Sequence, residues 1–378
     1  MRLEKQYALL VGFFSQFSFL FALQAIPPLL PTLIKEFGLR FTVASSLMWL
    51  VALPGVLLAI LGGLLTEKYG VRRLIIIGTG IMAASSAVSS FSTSIPLLQA
   101  CRLVLGIGGA LVVVSAPGII LQWFEERELG TAMGIFGLTM PVATVVAFNS
   151  LAVVANGYGW RDAFLVTTVV NILALALCIL VKERRLDSPV KTSLAPLRNV
   201  NIWILGVIWG LFNMAVVGYS TFGKTIFIGY GLTEGMSDLL ASTLMVGTLT
   251  TPLTGFLSDR IGGRRRPLIV VATCAMFLMF PLFPYVEARY LFALGLVLGL
   301  LVAFLPPALF ALPDAILGEG KGVLGWGVLN TFMNLGFILG PLSVGYVLDN
   351  AQSTSIVFYA LSLFALMALL LALLLKSR

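Results

Sequence analysis

The sequence predicts an all-α polytopic membrane protein of twelve transmembrane helices in two pseudo-symmetric six-helix halves. Three observations carry that prediction: a composition too apolar for water, apolar runs of membrane-crossing length along the whole chain, and an internal repeat. Of the 378 residues, 59% are hydrophobic and 11% charged, and the mean hydropathy is +1.04. A water-soluble fold could not cover that much apolar surface. A helix rises about 1.5 Å per residue, so roughly 20 apolar residues cross about 30 Å of hydrocarbon. Runs of that size recur at 7–34, 43–66, 74–92, 96–123, 129–155, 160–182, 201–230, 236–258, 266–285, 288–316, 321–348 and 354–376. The polar intervals between them leave no room for a sizeable extramembrane domain, so function must sit among the helices.

The net charge of +8 could suggest a nucleic-acid partner, but the basic residues are scattered through short loops rather than gathered on one surface. Their placement is asymmetric. With Met1 on the cytoplasmic side, 18 of the 24 basic residues fall in the N-terminus, the even-numbered loops and the tail. Lys35, Arg40, Arg161 and Arg289 fall on the other side, and Arg102 and Lys224 lie within spans. This bias predicts a multi-pass plasma (inner) membrane protein with both termini cytoplasmic. The longest polar interval, 183–200, reads as a cytoplasmic linker between halves 1–182 and 201–378.

The N-terminal run is too long for a signal peptide and lacks an Ala-x-Ala pattern, so it reads as an uncleaved first span. Cys101, Cys178 and Cys274 lie in apolar stretches and read as packing residues. With no histidine and no paired-cysteine spacing, no metal or cofactor is expected, and a nucleophile-base constellation for an enzyme is not visible.

The repeat is legible by eye. Gly63-Leu-Leu-Thr-Glu67-Lys68-Tyr-Gly70-Val-Arg72-Arg73 returns 192 residues later as Gly255-Phe-Leu-Ser-Asp259-Arg260-Ile-Gly262-Gly-Arg264-Arg265. Leu103-Val104-Leu105-Gly106 returns as Leu296-Val297-Leu298-Gly299, and Phe37-Gly38-Leu39 aligns with Tyr230-Gly231-Leu232, both shifted by 193. Such repeats let a transporter rock one half against the other around a midplane site. The duplicated loop resembles the signature loop of the major facilitator superfamily, with Glu67 and Lys68 standing where that family usually has Asp and Arg. Arg102-x-x-x-Gly106-x-Gly-Gly in span 4, Gly159-Trp160-Arg161 opening span 6 and Gly336-x-x-x-Gly340-Pro341 in span 11 extend the resemblance over the whole chain. It implies the family's fold, alternating access, and a gating role for Gly63, Glu67, Lys68, Arg72, Gly255, Asp259, Arg260 and Arg264. A Gly-x-x-x-Gly-Pro in span 5 marks many of the family's drug/proton antiporters. Here span 5 has Gly130, Gly134 and a lone Pro141.

Gly218-Tyr-Ser-Thr-Phe-Gly223-Lys224-Thr225 formally matches a phosphate-binding loop, but the apolar run preceding it is a membrane span rather than a short strand. Without nucleotide chemistry, transport would draw on the solute's own gradient or on a coupled proton or other ion.

A charge at a helix centre costs about 2.5–3.5 kcal/mol, so a buried one needs a partner or a task. Arg102 lies about 9 Å into span 4, and Lys224 lies in span 7 beside Tyr219. In the family, spans 1, 4, 7 and 10 line the cavity; Gln24, Asn213, Asn330 and Asn334 are neutral candidates there and on span 11. Arg102 could instead pair with backbone carbonyls, Lys224 could snorkel, and the neutral groups could bond one another. No carboxylate lies near the middle of a span in this reading, so a small organic anion is the expected solute of the two cations. An exporter of apolar or cationic compounds is the alternative, opposed by that missing acid. The other expected partner is the lipid bilayer, and the protein is expected to be a monomer.

Overall fold

The computed structural model describes residues 2–124, 126–182, 199–260, 265–317, 322–351 and 353–375. The side chains at 2, 59–64, 67, 126–127, 258–260, 314–315, 317 and 322–324 are outside that description. Among the described residues, twelve helical segments are long and apolar enough to span a membrane, and no strand is present. Spans 1 to 6 are Leu3–Phe37, Phe41–Leu58, Val71–Ser90, Ile95–Trp123, Glu128–Tyr158 and Trp160–Leu180. Spans 7 to 12 are Val200–Gly229, Glu234–Leu257, Arg266–Tyr285, Ala288–Phe310, Gly325–Asn350 and Ile356–Leu374. Residues 183–198 of the expected linker lie outside the described residues.

The chain divides into two compact units, Met1–Gly38 with Leu50–Val190, and Leu39–Trp49 with Lys191–Arg378. In the first unit, span 4 meets its neighbours through the glycines of its motif. A methyl group on Gly108 would come within 2.6 Å of the Gly78 carbonyl oxygen of span 3, and one on Gly109 would strike the Phe19 ring of span 1. Close backbone approach of this kind is how helices pack in lipid, where apolar burial gives no drive. The Gly159-Trp160-Arg161 motif ties loops together. Trp160 Nε1 donates to Glu36 at 2.6 Å, while Arg161 reaches both Glu36 at 3.3 Å and the Ser92 carbonyl at 3.1 Å.

In the second unit, Gly336 and Gly340 seat span 11 on span 7. Added methyls would lie 2.5 Å from the carbonyl oxygens of Gly210 and Met214 respectively. A knot of rings, Tyr219, Phe227, Phe280, Phe283 and Phe358, packs spans 7, 9 and 12, with Phe283 and Phe358 stacked at 5.0 Å.

Several spans expected to be continuous helices are broken. Span 1 consists of helices Arg2–Leu23 and Ile26–Phe37, because Pro27 and Pro28 have no N–H for the carbonyls of Leu23 and Gln24. Span 10 breaks between Ala288–Val302 and Leu305–Phe310, where Pro307 leaves the Ala303 carbonyl without its helical donor. Thr254 of span 8 supplies one instead, its hydroxyl donating to that oxygen at 2.7 Å.

Candidate solute-binding residues

Arg102 is 1% exposed in the first unit. Its guanidinium donates to the Ala22 carbonyl at 2.8 Å and to the Leu23 carbonyl at 2.9 Å, the last two carbonyls of the first helix of span 1. The Leu23 oxygen is the one that Pro27 deprives of its N–H. The planar fork thus replaces a lost backbone bond, and its charge sits at a helix C-terminus where the dipole is negative. Gln24, in the break itself, donates from Nε2 to Thr144 Oγ1 of span 5 at 2.9 Å. Its carbonyl oxygen Oε1 is buried and accepts no hydrogen bond among the described residues.

Lys224 is 2% exposed in the second unit. The expectation of no carboxylate near the middle of a span left Lys224 without a partner, but the start of span 8 supplies one: Asp238 Oδ2 stands 2.9 Å from Nζ, and Glu234 Oε2 stands 3.7 Å away. The Asp238 side chain is 4% exposed, whereas that of Glu234 is 56% exposed. Thr233 caps this helix, accepting from the Met236 N–H, so the two acids follow one turn apart on the first turns of span 8. Among the described residues neither Asp238 oxygen accepts a hydrogen bond of good geometry; the ion pair with Lys224 is its chief compensation. Asp238 was missed because the sequence places the start of span 8 at 236, which puts the residue at the water boundary. The available signal was the acid pair at 234 and 238 facing a lysine in the preceding span.

The remaining neutral candidates lie in the second unit, and each bonds to protein, Tyr219, Asn213 and Asn334 as donors and Asn330 as acceptor. Tyr219 bonds the Leu240 carbonyl at 3.0 Å, and Asn213 bonds the Trp209 carbonyl at 2.7 Å. Asn334 bonds the carbonyl of Asn330 at 2.9 Å and its side-chain oxygen at 3.3 Å. Gln24 and Arg102 are thus brought together around the break in span 1, and Asn330 with Asn334 on span 11. Tyr219 and Lys224 share span 7.

Of the residues assigned to gating, Gly63, Glu67, Asp259, Arg260 and Arg264 lie outside the described residues or side chains. Lys68 is exposed, its Nζ 5.2 Å from the centroid of the Tyr69 ring. Gly255 has room, the nearest foreign atom to an added methyl being Pro307 Cβ at 3.6 Å. Arg72 donates to the Ile179 carbonyl at 2.7 Å, at the C-terminal end of span 6. The second unit repeats this contact: Arg266 donates to the carbonyls of Ala372, at 3.1 Å, and Leu373, at the end of span 12.

Residues 12–320 and 239–378 match the family model of the Major Facilitator Superfamily. The chain is 25% identical over 365 residues to the "Probable sulfoacetate transporter SauU" of Cupriavidus necator, covering 87% of this chain and 84% of that protein. It is also 25% identical to the "Nitrite extrusion protein" of Bacillus subtilis, with 89% and 87% covered. To "Monocarboxylate transporter 13" of Rattus norvegicus it is 24% identical, with 76% and 69% covered.

Proposed function

Because this chain belongs to the major facilitator superfamily, we propose that it is a secondary transporter moving a small organic anion across the plasma membrane by alternating access, with both termini cytoplasmic. The observation that carries the solute class is the set of relatives. Proteins named for sulfoacetate, nitrite and monocarboxylates align over three quarters or more of this chain. The residues offered to the anion are Arg102 and Gln24 of the first unit and Lys224, Asn213, Tyr219, Asn330 and Asn334 of the second. Lys224 is the residue best suited to meet it, since an ammonium held by an acid can exchange that carboxylate for one belonging to the solute. Arg102 acts through span 1, whose broken turn it holds.

Asp238 favours a second reading. An acid buried inside the protein beside Lys224 weakens the objection to a cationic solute, which could compete with Lys224 for the same carboxylate. One experiment separates the two. The purified protein is heated in the presence of sulfonates, carboxylates, nitrate, nitrite and organic amines at constant ionic strength. A ligand at 100 times its dissociation constant stabilises the folded state by about 2.7 kcal/mol. A rise in melting temperature with sulfoacetate or a small carboxylate, absent with amines, is the expected result. Stabilisation by amines alone would replace the anion reading with the cationic one.

A further inference from the structure

The helix of span 2, Phe41–Tyr69, is continuous, yet its two ends belong to different units: Leu39–Trp49 group with the second and the chain from Leu50 with the first. The first turn is held by one carboxylate. Asp349, near the end of span 11, accepts from the Phe41 N–H through Oδ1 at 2.8 Å and from the Thr42 N–H through Oδ2 at 2.9 Å. The Thr42 hydroxyl donates to Oδ2 at 2.5 Å, and Arg40 Nε lies 3.8 Å from it. The bonded N–H groups are among those that a helix start cannot satisfy internally, and negative charge is favoured there. The carboxylate is 5% exposed, so little water is at hand to take its place.

Packing agrees with the hydrogen bonds. One turn before Asp349, a methyl group on Gly345 would come within 2.8 Å of the Phe41 carbonyl oxygen and 3.1 Å of the Thr42 nitrogen. The Phe41 ring meets Phe222 of span 7 edge-on at 6.1 Å. Farther along the same helix, Pro54 has no N–H to give the carbonyl of Leu50, four residues earlier. That carbonyl, without its i+4 helical donor, falls at the residue where the helix passes from one unit to the other. Val51, beyond it, is seated against Gly106 of span 4, where its backbone leaves no room for a side chain. A helix bends where its ladder is interrupted by proline, and here the interruption coincides with the change of unit.

We propose that residues 39–49 form a swinging arm, hinged at Leu50–Pro54 and latched by Asp349, at the end of the helices opposite the duplicated loops. This inference rests on the alternating-access reading, in which the face away from the cytoplasm opens once per cycle. The latch sets how often the arm leaves span 11, and the hinge sets how easily it swings.

The test uses the full-length protein in detergent with no solute added, so its outcome is independent of which solute is carried. Ser45, on the arm and fully buried, is replaced by cysteine. Its labelling by a water-soluble maleimide is timed by peptide mass spectrometry, which separates it from the native cysteines. Asp349→Asn is expected to speed labelling about tenfold, the equivalent of about 1.4 kcal/mol. Thr42→Val, which deletes only the hydroxyl bond, is expected to speed it about threefold. Pro54→Ala restores a donor to Leu50 and is expected to slow labelling below the parent rate. Ser86→Cys, buried in the first unit, should be unaffected in every background. Unchanged Ser45→Cys labelling in the Thr42 and Pro54 variants would overturn the proposal, as would equal acceleration at Ser86→Cys. Should Asp349→Asn fail to fold, those two milder variants decide the matter.

Discussion

Arg102 in the first unit and Lys224 in the second are both hidden from solvent, at 1% and 2% exposure, and the chain neutralises them by opposite means. Arg102 is held by two backbone carbonyls at the end of a broken helix. Lys224 is held by a buried aspartate with a glutamate behind it. A carbonyl dipole cannot take up a proton or leave its helix, so Arg102 is a fixture whose partners vary only if span 1 refolds. A carboxylate can be protonated, displaced or outcompeted, so the Lys224 cluster can change its pairing without a change of fold. Two cations that look equivalent in a hydropathy profile therefore differ in kind: one completes a backbone, the other completes a charge.

The sharpest way to break this contrast is to remove one member of the Lys224–Asp238 pair. Lys224→Gln or Asp238→Asn alone should cost about 3–5 kcal/mol, because each leaves a buried charge without its nearest partner. The double variant should recover most of that loss. Denaturant titration of the purified protein would read both, and additive losses in the double variant would show that the residues do not act as a pair. Glu234→Gln should cost under about 1 kcal/mol, since that side chain is half exposed and 3.7 Å away.

Arg102→Lys sharpens the other side. Lysine keeps the charge but cannot serve both carbonyls in one plane, and an unsatisfied buried acceptor costs about 1–3 kcal/mol. Adding Pro27→Ala returns an N–H to the Leu23 carbonyl and should rescue part of the loss. Melting temperatures of the two single variants and the double would show the coupling, and no rescue would mean that Arg102 serves something other than the break. A smaller effect than at Arg102 is expected at Thr254→Val. There a single hydroxyl performs for the Ala303 carbonyl what Arg102 performs for Leu23, at about 0.5–1.5 kcal/mol.

The apolar runs made the twelve spans legible, because in lipid the length of a run and its lack of charge are the physical requirement itself. Breaks within spans were less legible. Pro27, Pro28 and Pro307 were plain in the sequence, but a proline says only which carbonyl loses its donor, not that Arg102 or Thr254 comes from another span to replace it. Asp238 shows the same limit. Two residues of uncertainty at the start of span 8 decide whether an acid lies in water or beside Lys224, and hydropathy does not resolve two residues. The glycines of spans 4 and 11 were legible in the sequence as motif positions; the close backbone approach each permits, and which helix each one meets, required the fold. The role of Asp349 left no local signal, because its partners are backbone N–H groups more than 300 residues away.

The arginine contacts that end spans 6 and 12 also impose an order on synthesis. Arg72 is made 107 residues before Ile179, and Arg266 is made 106 residues before Ala372. At roughly 5–20 residues per second, each arginine waits about 5–20 s for its acceptor. Each clasp closes when the sixth helix of its own half arrives, and neither draws on the other half. The first six helices can thus be fastened as a group while the ribosome is still making the rest, which leaves the newborn protein one half to assemble at a time.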